Sequence, residues 1–221
     1  MKIRNQIFLI IGLVSVAFGA CKKADDGNED TILLLLLAQA TAVAPCTTRC
    51  HIYTTDQRMT GRLVGAGGIA GADAICNGDV NRVRGKVYKA MISVPGQREI
   101  LGNPTGTLTY TDWVLKANTF YSPSTDSANT TGSTTNANRI FNDSGTAMQM
   151  NFNLSSATPR FWTGITIAGG NFINGDNCNN WTSFNFGASG FTGVVGASTT
   201  NLVEATTNTC NEQRTIICVE Q

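Results

Sequence analysis

The chain has 221 residues, of which 42% are apolar and only 14% are charged, against about 25% charged in an average soluble domain. Thr (29), Gly (23) and Asn (21) fill the places that Lys, Glu and Leu usually take. That composition favours strands, turns and long loops over helical bundles and speaks against disordered, collagen-like and multi-span membrane classes. Sixteen Lys and Arg against fifteen Asp and Glu leave a net charge of +1, which offers no field to gather phosphates, so nucleic acid is not an expected partner.

The first twenty residues read as a signal peptide. Lys2 and Arg4 make a short positive start, Ile7 to Phe18 an apolar core, and Gly19-Ala20 supply small residues directly before Cys21. A cysteine at that point resembles the acceptor of a bacterial lipoprotein signal, lipidated to become the mature N-terminus; Phe18 stands where such signals usually carry Leu. Residues 21–45 follow as a tether: a charged spacer, then the apolar run Ile32 to Ala44, closed by Pro45. Thirteen residues are too few to span ~30 Å of hydrocarbon, which needs about 20. The run is expected to lie against the membrane or the domain, and the Leu33 to Leu37 stretch could also drive self-association. The folded domain is expected at residues 46–221.

Once Cys21 is set aside for lipid, six cysteines remain: Cys46, Cys50, Cys76, Cys178, Cys210 and Cys218. An even number in an exported chain implies a disulfide framework of three bridges, with 15 pairings open to sequence arithmetic. Zinc has little support, because there is no CxxC pair and His51 is the only histidine.

In chain order, His51 to Thr55 has the content of a strand. A glycine-rich turn then leads into a helix from Ile69 to Asn77, whose face of Ile69, Ala72 and Cys76 is expected to be buried. Val87 to Ser93 alternates as a strand, and Tyr110 to Tyr121 has strand character around Trp113, Val114 and Leu115. Ser122 to Ser156 is rich in Ser, Thr, Asn and Gly and is expected to be a long surface loop. Arg160 to Ile167, Trp181 to Phe186 and Arg214 to Glu220 complete the expected strands. No internal repeat appears, and the cysteine spread from Cys76 to Cys218 points to one domain.

Apparent motifs weigh little. Gly65-x-Gly67-x-x-Ala70 matches a dinucleotide fingerprint but lacks alternating strand and helix units around it. Gly187-Ala188-Ser189-Gly190 begins like a nucleophile elbow, yet Phe191 replaces the last glycine and no histidine follows. His51, at the domain edge, reads as structural or solvent-exposed. Asp73, Asp79, Asp112, Asp126, Asp143 and Asp176 read as solvated turn residues, and Asn129, Asn142, Asn153 and Asn180 as chance sequons. With no activated nucleophile or acid/base pair in view, no enzymatic activity, cofactor or metal site is expected.

Six segments together carry a resemblance: Gly71-Ala72-Asp73-Ala74-Ile75-Cys76, Tyr88-Lys89-Ala90-Met91-Ile92-Ser93, Asp112-Trp113-Val114-Leu115, Phe161-Trp162-Thr163-Gly164, Asn177-Cys178-Asn179-Asn180-Trp181 and Ile217-Cys218-Val219-Glu220. In this order they resemble a domain of leptospiral lipoproteins related to the leptospiral endostatin-like (Len) proteins, over about residues 50–221. The resemblance implies an α+β, C-type-lectin-like (endostatin-like) fold with mostly antiparallel strands, one or two short helices and long polar loops. It further implies pairing of Cys76 with Cys218 and Cys178 with Cys210, leaving Cys46 with Cys50. Neither Glu-Pro-Asn nor Gln-Pro-Asp nor Trp-Asn-Asp occurs, so calcium-dependent sugar binding is not expected; Asp176 amid Asn174, Asn177 and Asn179 is a faint substitute. Trp162, Trp181 and Phe184 are expected in the core.

The function so implied is that of an outer-membrane lipoprotein, anchored through Cys21 and facing the cell surface. It would bind host extracellular-matrix or complement-regulator proteins through the loops Ser122 to Ser156 and Gly187 to Asn208. The alternatives are a calcium-independent glycan-binding module and a structural lipoprotein facing the periplasm.

Overall fold

The strand Arg49–Thr54 (β1) lies inside a five-stranded sheet, in a computed structural model that describes residues 45–63, 67–104, 106–124, 132–141, 160–194 and 203–221. The expected signal peptide, Cys21, the tether through Ala44, Gly65, Asp126, Asp143, the sequons at Asn129, Asn142 and Asn153, and most of Ser122 to Ser156 lie outside the described residues. β1 pairs antiparallel with the last strand, Ile217–Glu220 (β12), in the register Ile52↔Val219 and Tyr53↔Cys218. On its other side it runs parallel to Phe120–Pro123 (β5), with Cys50 opposite Tyr121. Tyr88–Ala90 (β2) and Ser133–Thr134 (β6) form the edges, so the order is β2-β12-β1-β5-β6.

Alternation along the two central strands explains the layering. Cys50 and Ile52 of β1, with Ile217 and Val219 of β12, join a cluster containing Trp113, Phe141, Phe161 and Phe172. Tyr53 and Cys218 face the other way, into a cluster with Cys76, Tyr88, Trp162 and Trp181. With successive side chains on opposite faces, both faces of the sheet are covered. All four residues of β12 are buried, as expected of a strand with two covered faces.

The second cluster is roofed by the helix Gly68–Gly78 (α1), which buries Gly71, Ala72 and Cys76 and is bound to the sheet by the Cys76–Cys218 disulfide. Two hairpins make a four-stranded sheet: Glu99–Gly102 (β3) with Leu108–Thr111 (β4), and Ile165–Ala168 (β8) with Asn171–Asn174 (β9), in the order β4-β3-β9-β8. The β8–β9 turn is Gly169-Gly170, both at positive φ (57° and 78°), the chemistry of a tight two-residue hairpin. A three-stranded sheet, β11-β10-β7, joins Thr206–Thr209 (β11), Ser189–Val194 (β10) and Arg160–Trp162 (β7). The protein is thus mostly β with few helices and three disulfides, as an α+β disulfide-braced fold requires, and the described residues form one compact unit.

Several elements differ from expectation for physical reasons. Arg160 to Ile167 is two strands in different sheets, interrupted at Gly164 (φ 67°), where a Cβ would stand 2.9 Å from the Trp181 ring. Trp113, Val114 and Leu115 are buried but form no strand, and only residues 88–90 of Val87 to Ser93 do. The described part of Ser122 to Ser156 is not simply loop: Ser122 and Pro123 are in β5, and Ile140 and Phe141 are core. The described part of Gly187 to Asn208 contains β10 and most of β11, and residues 195–202 lie outside the described residues.

The start of the described domain meets its last residue, with Cys46 N donating to Gln221 O at 2.7 Å. Beside them Glu220, 1% exposed, accepts from His51 N (2.8 Å) and pairs with His51 Nδ1 (2.7 Å), while Lys86 Nζ stands 2.9 Å from its other oxygen. Burial pushes this carboxyl up, but the bonds from His51 and Lys86 outweigh it and hold Glu220 at about 2.

Two predictions follow from these joints. Chain entropy assigns at most about 5 kcal/mol to the 142-residue span closed by Cys76–Cys218 and about 2 kcal/mol to the short Cys46–Cys50 loop. Calorimetry should therefore show Cys218→Ala melting roughly 10 °C lower and Cys46→Ala/Cys50→Ala shifted by less than half of that; equal shifts would contradict the assignment. Because folded Glu220 lies below its ordinary carboxylate value of 4.5, its contribution is full above that pH and is lost as pH falls towards about 2. Glu220→Gln should be less stable at neutral pH yet lose less of its melting temperature between pH 5 and pH 2 than the parent does.

Candidate functional site

The least regular described segment, Asn177 to Ala188, is also the one built from the most constrained backbone. Cys178, Asn179, Asn180 and Trp181 all have positive φ (53°, 54°, 56° and 60°), so Cys178–Trp181 (α2) is a single left-handed turn. Left-handed backbone costs non-glycine residues roughly 1–2 kcal/mol each, so the surroundings must impose it. Asn177 caps the turn, its Oδ1 accepting from Asn180 N at 2.9 Å and its Nδ2 donating to Asn180 Oδ1 at 3.1 Å. Cys178 is bonded to Cys210, and Gly61 and Gly190 leave room for that bridge.

Trp181 closes the turn from below. Its ring is fully buried, Nε1 donates to Ser93 O at 3.0 Å, and its centroid lies 5.8 Å from that of Trp162, whose Nε1 donates to Met59 O at 2.9 Å. Its own carbonyl accepts from Leu63 N at 3.1 Å, and Thr182 bridges to Arg62, so the stretch that follows β1 borders the turn.

Beyond the turn, two aromatic side chains stand in solvent. Phe184 is 58% exposed and Phe186 73%, and the Arg62 guanidinium lies over the Phe184 ring at 5.8 Å. Local hydrogen bonds hold this projection: Asn185 N donates to Ser183 Oγ, Gly187 N to Asn185 Oδ1 and Ala188 N to Asn185 O. Asn179, Asn180, Thr182 and Asn185 of the same segment are also exposed. The result is two aromatics, one guanidinium and several amides on a stiff base, a combination suited to non-covalent recognition.

The expected strand Trp181 to Phe186 is therefore absent, and Phe184 is not a core residue; Trp162 and Trp181 are. Positive φ from Cys178 to Trp181 makes the start of this stretch a turn, and its pairing is confined to the bridge of Thr182 with Arg62. Asp73 and Asp112, read as solvated turn residues, instead hold Arg98, which is 1% exposed: Asp73 takes Nη1 and Nη2 at 2.7 and 2.9 Å, and Asp112 takes Nε and Nη2 at 3.1 and 2.8 Å. Lys89 also pairs with Asp112, and these cations lower its carboxyl despite the opposing effect of burial. Asp79 accepts from Asp56 N and Asn81 N. His51 is structural, through Glu220.

The amides around Asp176 are likewise engaged. Asn174 Oδ1 accepts from Ser93 Oγ and its Nδ2 donates to Glu99, the Asn177 side chain caps α2, and Ser189 Oγ donates to Asp176. No group of three or more His, Cys, Asp or Glu is placed to hold a metal among the described residues.

A family profile matches residues 59–201, more than half of the chain, under the description "Protein of unknown function (DUF1554)". The chain belongs to the DUF1554 family. No curated protein matches it. The DUF1554 match takes in Arg62, α1, the left-handed turn and the exposed aromatic segment, and ends before β11 and β12.

The strain in α2 is directly testable. At exposed Asn179 (φ 54°, ψ 58°), Asn179→Val should shift urea unfolding by about 1–2 kcal/mol, whereas Asn179→Gly should stay within about 0.5 kcal/mol of the parent. Equal losses for the two variants would rule out backbone strain as the cause.

Proposed function

We propose that this DUF1554 protein is a lipoprotein, anchored through Cys21 in the outer membrane with its domain at the cell surface, that binds host extracellular-matrix or complement-regulator proteins. The observation carrying the reading is the exposed pair Phe184 and Phe186 with Arg62, held out on a disulfide-braced, left-handed turn. Tyr, Trp, Phe and Arg are the residues that most often carry binding energy at protein interfaces, and a rigid base lowers the entropy lost on binding. The contact of Cys46 with Gln221, and the helix cysteine bonded to the last strand, support a C-type-lectin-like architecture. Connectivity also favours outward presentation. Cys46, where a tether would deliver the chain, precedes the N-terminal end of β1, while Arg62 and Leu63, which border the turn, follow its C-terminal end.

Purified protein should bind immobilised matrix proteins or complement regulators saturably, with and without EDTA and after deglycosylation of the ligand. Phe184→Ala/Phe186→Ala should weaken binding at least tenfold, on the order of a hot-spot loss, with its melting temperature unchanged. Loss of binding on deglycosylation would transfer the surface to glycans, for which the exposed amides of Asn179, Asn180 and Asn185, in the segment that carries the two rings, are the favouring feature. Undiminished binding by the double variant would remove the site from the reading.

A further inference from the structure

An open cleft of about 220 Å³ lies between the last turn of α1 and the stretch that follows β1, lined by Asp56, Gln57, Met59, Ile75, Asp79 and Val80. Its apolar lining is Met59 and Ile75, both half-buried, with Val80, 80% exposed, at the rim. Negative charge accompanies it. Asp79 is held by two backbone amides, Asp56 N at 3.0 Å on one oxygen and Asn81 N at 2.8 Å on the other, while the carboxylate of exposed Asp56 takes no hydrogen bond among the described residues. The last turn of α1 carries no basic residue, so the negative end of the helix dipole adds to the two carboxylates. Arg58 and Arg82, the cations nearest to them in sequence, form no ion pair among the described residues.

We infer that this cleft seats a lysine side chain of the bound partner protein, its four-carbon stem against Met59, Ile75 and Val80 and its ammonium shared by Asp56 and Asp79. Three features select this occupant. The volume is below the roughly 300–1,000 Å³ of small-molecule pockets and suits one side chain. Apolar lining beside carboxylates matches a residue that buries its stem and keeps its charged head in water. Both oxygens of Asp79 already accept an amide, which leaves no free edge for the fork of a guanidinium, whereas a compact ammonium with three donors gives one bond to each carboxylate. Position agrees: Met59 lines the cleft, and Arg62, which lies over Phe184, is three residues on, a span of at most about 11 Å. Asp56, Gln57, Arg58 and Arg62 are exposed along this stretch, and a standard interface of about 800 Å² per partner exceeds that span in reach. The inference rests on the partner-binding reading above and deepens it, by naming the chemistry that the partner presents near the aromatic pair.

The test titrates the full chain carrying Cys21→Ser, which cannot be acylated, with Nα-acetyl-lysine methylamide and with its norleucine and arginine counterparts, followed by amide NMR. The lysine probe should shift the amides of Asp56 and Asn81, which both donate to Asp79, saturably and more weakly as salt rises. Asp56→Asn should lose about 5-fold in probe affinity, and Val80→Lys, which sets a cation at the rim, at least as much, each with a parental melting temperature. The absence of a saturable shift, equal shifts from the norleucine probe, tighter binding of the arginine probe or undiminished affinity in Asp56→Asn would each overturn the inference. Binding that emerges only in Arg82→Gln would overturn it too, since the protein's own arginine would then fill the cleft. On the immobilised ligands named above, acetylating the ligand's lysines should weaken binding by the parent more than binding by Asp56→Asn/Val80→Lys, and equal weakening would count as an overturning result. The two readings separate cleanly. Failure of every immobilised ligand while the lysine probe titrates would refute the partner-binding reading and leave the cleft's preference for lysine standing, whereas saturable ligand binding without a response to the lysine probe would refute the inference alone.

Discussion

Everything in this fold hangs on the antiparallel contact between β1 and β12, two strands drawn from opposite ends of the domain. Each contributes side chains to both hydrophobic clusters, so their register sets both cores at once; a one-residue slip would exchange the faces of every side chain. Cys76–Cys218 ties α1 to this axis, and Glu220 closes its outer end against His51 and Lys86. Beyond its inner end the pairing continues as isolated links, Thr55 with Ile216, Met59 with Arg214 through two bonds, Gly61 with Cys210 and Leu63 with Trp181. The candidate site is thus an extension of the central sheet.

That extension supplies what the left-handed turn needs. Four consecutive non-glycine residues at positive φ would not persist in an unsupported loop. Here the Cys178–Cys210 bridge, the buried Trp181 ring and the Asn177 cap act on the same four residues. Chain that leaves such a turn departs in one direction, which places Phe184 and Phe186 in solvent without needing a hydrophobic anchor of their own. The scarce charges serve a similar organising role inside the protein, where Arg98 gathers Asp73 and Asp112.

How much of this could be read from residue order depends on the range of the interaction. β1, α1 and the final strand are legible because their periodicity is local: Ile69, Ala72 and Cys76 at helical spacing, and the buried run Ile216 to Val219. Cysteine number likewise announced a framework of three bridges. The β3–β4 and β8–β9 pairs were not legible as hairpins: Ile165 to Ile167 of β8 reads only as the end of Arg160 to Ile167, and Glu99 to Gly102 is too short to show alternation; the Gly169-Gly170 pair was the available signal for the second. Trp181 to Phe186 misled because aromatic content resembles a strand, whereas the outcome is decided by backbone conformation imposed from Cys210, Ser93 and Leu63, distant in sequence. Arg98 and Glu220 were invisible for the same reason, as their partners lie 25 and 169 residues away.

Because β12 is the last strand of the described fold and sits between β1 and β2, the order of synthesis opposes the order of assembly. A chain emerging from a ribosome or a translocation channel presents residues 49–54 long before residues 217–220, and until the latter arrive neither face of the sheet can be sealed. The many contacts between sequence-distant residues place the protein among slow folders, which spend more time with unpaired strands exposed. Such a protein meets little competition from premature collapse to its final form, and depends on its closing residues for completion. Loss of even the last few residues would therefore act on the whole domain, with the exposed aromatic segment losing its support although it lies some thirty residues upstream.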